Sequence, residues 1–128
     1  LIGPIFELSF CAVVAELAQK HLSEFGIEDV RTEFGGIECI VKLKHCEVKF
    51  WWYKADIGSS IKPVSIEKSV RYASKIVIEE GLPMVGLLGS VPLGATSREV
   101  EQQMLLIVQD YRNILDGNFG DWPDDAHA

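Results

Sequence analysis

Between residues 9 and 25 the buried-type residues Phe10, Val13, Val14, Leu17, His21, Leu22 and Phe25 recur at steps of three and four. That spacing predicts a helix with one apolar side. Ser9 is placed to cap its first free amides, and Gly26 can stop it in the left-handed conformation. The period then changes to two, and three strands are predicted over 28–34, 37–44 and 46–54. In the second of these Ile37, Cys39, Val41 and Leu43 face one way and Glu38, Lys42 and Lys44 the other, with Ile40 on the polar side. Gly35-Gly36 between the first two strands supplies the positive φ angles of a two-residue hairpin turn. An antiparallel meander with one buried face follows.

Beyond the third strand the pattern weakens. Residues 55–64, with Gly58, Ser59, Ser60 and Pro63, read as the longest polar loop. Ser65 is placed to cap a second helix over 66–80, striped by Ile66, Val70, Ala73 and Val77 and stopped by Gly81 and Pro83. Residues 82–95 read as a short strand followed by a buried loop. A third helix opens on Thr96-Ser97-Arg98-Glu99, which fits a capping box, and is striped by Val100, Met104, Ile107, Val108, Tyr111, Ile114 and Leu115 up to Asp116-Gly117. The expected fold is α+β, in the order α-β-β-β-α-(β)-α. It is an antiparallel meander of three to four strands, packed by N- and C-terminal helices, with the middle helix at an edge. Residues 1–128 form a single domain, and residues 118–128 form a C-terminal tail.

At 128 residues, 48% hydrophobic and 24% charged, the chain suits one core and is expected to fold throughout. Its formal net charge of −7 opposes non-specific binding to nucleic acid or anionic lipid and favours a basic partner. The acid is concentrated late, with ten Asp or Glu against five Lys or Arg from residue 65 onward. Between Lys42 and Lys54, Glu47 stands alone against four lysines. Cys11 and Cys39 fall at interior positions and read as reduced core thiols, and a Cys39 to Cys46 bridge is disfavoured because the two are not opposed. The opening Leu1-Ile2-Gly3-Pro4-Ile5-Phe6 is too short to span a membrane and carries no targeting signal. A cytoplasmic protein is expected.

Chemistry-bearing motifs are thin. Gly89-Ser90-Val91-Pro92-Leu93-Gly94-Ala95-Thr96 has the outline of a phosphate loop. Ala95 stands where the lysine belongs, however, and Pro92 removes a cradling amide. His21, His45, His127, Glu79-Glu80 and Ser59-Ser60 form no acid-base or nucleophilic constellation. Cys39, His45 and Cys46 lack metal-site spacing. No catalytic residue, cofactor or metal is therefore expected.

The strongest feature is Val48-Lys49-Phe50-Trp51-Trp52-Tyr53-Lys54. Strand alternation sends Val48, Phe50 and Trp52 to a core and Lys49, Trp51 and Tyr53 to the opposite face. With Ile40 and Lys42 these form an aromatic and basic patch of the kind that protein interfaces concentrate. The competing possibility is that the C-terminal segment folds back over the rings, with Trp122 beside them and Asp121, Asp124 and Asp125 matching the lysines. A homodimer seam and a ligand groove are further alternatives. The expected partner-binding residues are Lys42, Lys49, Trp51, Tyr53, Asp121 and Trp122.

The final helix closes in Leu115-x-Gly117-x-Phe119. In that ending, and in its small acidic α+β pattern, the chain resembles bacterial immunity proteins of toxin competition systems. The resemblance covers about the last third of the chain. It implies a cytoplasmic, non-enzymatic protein that binds and blocks one toxin through acidic and aromatic surface residues; with the acidic net charge, a basic toxin domain is the expected partner. The helix leading into a meander also resembles class I type III secretion chaperones, which implies a homodimer holding an extended client. The chain departs from that pattern after the middle helix, where a second hairpin is missing. A small-ligand or enzymatic domain is the remaining alternative.

Overall fold

The computed structural model describes residues 2–34, 37–53, 56–64, 69–75 and 93–119. It is an α+β fold. Helix α1 (Ile2–His21) and a 3-10 turn (Ser23–Phe25) precede five strands, β1 (Asp29–Glu33), β2 (Glu38–Lys42), β3 (Cys46–Tyr53), β4 (Asp56–Pro63) and β5 (Val70–Lys75). Helices α2 (Leu93–Asp110) and α3 (Arg112–Leu115) follow. The strands form one antiparallel sheet in chain order, β1-β2-β3-β4-β5. Among the described residues no helix is long and apolar enough to cross a membrane.

Helices α1 and α2 pack against each other and cover one face of the sheet. Phe10, Val14, Leu17 and Ala18 of α1 and Val100, Met104 and Ile107 of α2 meet Cys39, Val41, Val48, Phe50, Trp52, Ile57, Ile61 and Val70 in a continuous core. Phe10 meets Trp52 edge to face, with ring centroids 5.9 Å apart. The predicted stripe of the first helix is thus the buried one. The helix begins earlier, at Ile2, so Ser9 lies inside it rather than capping it. It ends as expected, with Gly26 at φ 78 after the 3-10 turn. The first hairpin also stands, since the amide of Ile37 donates to the carbonyl of Phe34 across Gly35-Gly36. The two glycines themselves lie outside the described residues.

Two expectations are corrected. Residues 56–63 are strand β4, not a loop. Ile57, Ser59 and Ile61 alternate into the core with no exposure, whereas Gly58, Ser60 and Lys62 occupy the alternate positions. Residues 70–75 are strand β5, not part of a helix. Its ladder with β4, from Asp56↔Lys75 to Ile61↔Val70, overrides a stripe that happened to fit helical spacing. The rest of the predicted second helix lies outside the described residues, as do positions 82–92 of the strand and loop expected after it. Helix α2 starts at Leu93, which puts Thr96 inside it and removes the capping-box role. The last predicted helix is interrupted at Tyr111, between α2 and α3.

The C-terminal motif is a packing device. Leu115 is buried, Gly117 turns the chain at φ 92 against the ring of His45, and Phe119 packs on the core. Arg112 locks this corner, with its guanidinium 2.5 Å from the Glu24 carboxylate and 5.2 Å from the centre of the Phe25 ring. Cys11, Cys39 and Cys46 are buried and unbridged. In register Cys39 opposes Phe50 rather than Cys46.

Candidate functional site

The two faces of the sheet differ in cover. One lies under α1 and α2; on the other no described element packs. The register lays out this outer face in rows across the strands. Arg31, Ile40, Lys49, Ser60 and Arg71 form one row. Glu33, Glu38, Trp51, Gly58 and Ala73 form a second, and Asp29, Lys42, Glu47 and Lys62 a third. An open groove of about 660 Å³ runs over them, lined by residues of all three rows.

Trp51 stands at the middle of this face, on the central strand. Its indole lies over Gly58 of β4 so closely that a Cβ at that position would fall within the ring. Glycine is what lets a flat aromatic ring rest on the neighbouring strand. The ring is consequently half-buried, with Glu38 as its neighbour on the other side. Ile40, expected in an exposed patch, is only 4% exposed. It is flanked in register by Arg31 and Lys49, whose long stems suit covering apolar surface.

Charge on this face is cross-linked at the β1–β3 end. Arg31 reaches three carboxylates, those of Glu33 at 3.4 Å, Glu47 at 3.8 Å and Asp29 at 4.0 Å. Lys49 lies 3.5 Å from Glu38, and Lys42 lies 3.7 Å from Glu28. Such exposed pairs each contribute about 0–1 kcal/mol, so they set the pattern of charge more than stability. The inner carboxylate oxygen of Glu38 is buried and accepts no hydrogen bond. Lys62 and Arg71, toward β5, have no carboxylate partner among the described residues.

Of the residues expected to bind a partner, Lys42, Lys49 and Trp51 come together on this face. Tyr53 closes β3 opposite Asp56, and its side chain lies outside the described residues. Asp121 and Trp122 lie outside them as well, with the whole segment expected to fold back. Sequence reasoning passed over Gly58, Lys62 and Arg71. The signal that could have found Gly58 and Lys62 is the alternation of Ile57, Ser59 and Ile61, which makes their neighbours outward-facing; Arg71 is placed by its pairing with Ser60.

No protein-family model, curated protein or solved structure matches this chain.

Other groups with chemistry are accounted for by packing. His21 Nε2 lies 2.6 Å from Glu101 Oε2, and Lys20 Nζ lies 3.4 Å from the same oxygen, joining the end of α1 to α2. The hydrogen bond from His21 chiefly, with help from Lys20, holds the Glu101 carboxyl below the usual glutamate range. Ser59 is fully buried and so cannot meet a substrate, while Ser60 sits on the outer face. Burial, with the charge of Glu47, pushes the Cys46 thiol up to about 12. A hydrogen bond with Cys11 and burial push Cys39 up as well. Thiols held protonated in this way are poor nucleophiles and poor metal ligands. His45 is engaged by Gly117 at the rim of a hollow of about 270 Å³ that also contains Glu24 and Asp116. Among the described residues no group of three or more His, Cys, Asp or Glu could hold a metal ion. In the motif that resembles a phosphate loop, residues 93–96 form the first turn of α2. The outer face can therefore offer recognition: an aromatic ring, fixed charges of both signs and a shallow groove.

Proposed function

We propose that this protein is a non-catalytic protein-binding module that grips its partner with the uncovered face of its sheet. Its specific role, on this reading, is immunity-type neutralisation of a toxin by occlusion in the cytoplasm. The observation that carries the reading is Trp51, half-buried on Gly58 at the centre of a face that no described element covers. A ring already immobilised by its own sheet loses little freedom on binding, which is the property of an interface anchor. Around it the ion-paired charges of β1–β3 form a polar rim that penalises partners of the wrong pattern. The net charge of −7 draws in a basic body from a distance.

The test is protection. The chain and the toxin encoded beside it are co-expressed, and survival is compared for the parent protein and for Trp51→Ala. The reading predicts that protection is lost while the circular dichroism spectrum still reports the folded protein, with the midpoint lowered only by the lost packing of the ring on Gly58. Survival that is unaffected by Trp51→Ala, in a variant shown to be folded, removes this face from the interface. A stable dimer in light scattering with an extended client bound would favour the secretion-chaperone alternative.

A further inference from the structure

The two halves of the outer face are electrostatically unlike. Of the five acids placed on it by the register, Asp29, Glu33, Glu38 and Glu47 belong to β1, β2 and β3, and Asp56 begins β4 at the end far from Lys62, paired in register with Lys75. On β1, β2 and β3 each cation of this face lies within 4.0 Å of a carboxylate, and Arg31 has three. The β4–β5 half presents Ser60, Lys62 and Arg71, with Ser69 just before β5. Ser60 pairs with Arg71, so Lys62 and Arg71 are diagonal neighbours on adjacent strands, roughly 7–8 Å apart at the backbone. Glu47 is the cross-strand partner of Lys62, yet its carboxylate reaches Arg31 instead. Two adjacent cations thus share one end of a groove with hydroxyls beside them and with Trp51 as its aromatic neighbour. Among the described residues neither lies within 4.0 Å of a carboxylate.

We propose that this half of the face receives a carboxylate-bearing segment of the partner protein, held between Lys62 and Arg71 and set against Trp51. The proposal rests on the reading of the face as a protein interface and adds the chemistry of what docks there. An acidic peptide fits better than a nucleic acid. Two cations match one or two carboxylates, whereas a phosphate backbone would run on into the acidic row of Glu33 and Glu38 and meet a chain of net charge −7. The arrangement also fixes orientation. A partner drawn in by its overall basic charge must place its local acid at β4–β5, where like charge would otherwise repel it.

The experiment is an amide chemical-shift titration of the full chain with penta-glutamate, with penta-lysine and a deoxythymidine pentamer as controls. Penta-glutamate is expected to shift residues 58–62 and 69–73 and the indole N–H of Trp51. Lys62→Gln with Arg71→Gln should weaken it at least tenfold, and Arg31→Gln less than twofold. Arg71→Glu should reverse the preference toward penta-lysine, an outcome that loss of structure would not produce; the dispersion of the amide spectrum checks folding. Shifts centred elsewhere, equal losses from Arg31→Gln and the double variant, or tighter binding of the deoxythymidine pentamer at these residues would overturn the proposal. If penta-glutamate fails while Trp51→Ala still abolishes protection, the acidic segment falls and the interface stands. If protection survives Trp51→Ala, the interface itself falls.

Discussion

Gly58→Ala adds one methyl group, and the sign of its effect on stability reports whether Trp51 lies where the sheet places it. Gly58 is not among the glycines with positive φ, so alanine adopts its backbone without strain. Considered alone, the substitution would stabilise by about 0.4–1 kcal/mol by restricting the unfolded chain. Trp51 changes the outcome, because its ring occupies the space of the new methyl, with Nε1 at 2.6 Å. Carbon atoms need about 3.5–4.0 Å, so the indole must lift. Uncovering on the order of 80 Å² of ring at about 25 cal/mol per Å² costs about 2 kcal/mol. The net expectation is a loss of about 1–1.5 kcal/mol, read from urea unfolding with an unchanged slope. In a Trp51→Ala background the same substitution should stabilise, because the obstacle is gone. A stabilising Gly58→Ala in the parent protein, or a loss of equal size in both backgrounds, would refute the packing of the ring on the strand.

Three further outcomes follow from the packing. Gly117→Ala should cost about 1–2 kcal/mol for forcing a side chain into the left-handed region, and more for the His45 ring 2.9 Å from the new Cβ. His45→Ala should recover only the second part, as measured by thermal unfolding of the double variant. Folded Glu101 holds its proton less readily than the unfolded chain does, so its contribution is complete above the ordinary glutamate range and fades as pH falls through its lower folded value. Glu101→Gln should flatten that acid limb, and parallel midpoint curves for the two proteins below about pH 4.3 would disprove the assignment. Cys11, Cys39 and Cys46 should react slowly with Ellman's reagent in the native state at neutral pH and fully in denaturant, because all three are buried and two are pushed toward the thiol form. Rapid native labelling of even one would contradict the core.

Where the chain alternates strictly, sequence and structure agree. Cys39 and Val41, then Val48, Phe50 and Trp52, point inward as their spacing requires, and the first helix buries Phe10, Val14 and Leu17. The start of α1 was not legible because Ile2, Ile5 and Phe6 beside Gly3 and Pro4 set no helical phase. β4 was not legible because Gly58, Ser59 and Ser60 are loop residues by composition. Their strand state is imposed from both sides, by the ladders to β3 and β5 and by Ile57 and Ile61 under α2. β5 was misread because Val70 and Ala73 happen to sit three apart, which local spacing cannot tell from a helix turn when a partner strand is what decides.

Those two strands change the site as well as the fold. On a sheet ending at β3, Trp51 would border solvent on an edge strand, and the lysines around it would make a plainly basic patch. With β4 and β5 in place Trp51 is central and Gly58 is its seat, while the β1–β3 lysines are matched by Glu28 and Glu38. The outer face is then close to neutral, with six cations against five acids at the outward positions of the register, although the chain carries −7. Most of the acid therefore lies off this face. Attraction at a distance and recognition at contact come from different surfaces: the former weakens with salt, and the latter depends on where a single ring and two cations are held.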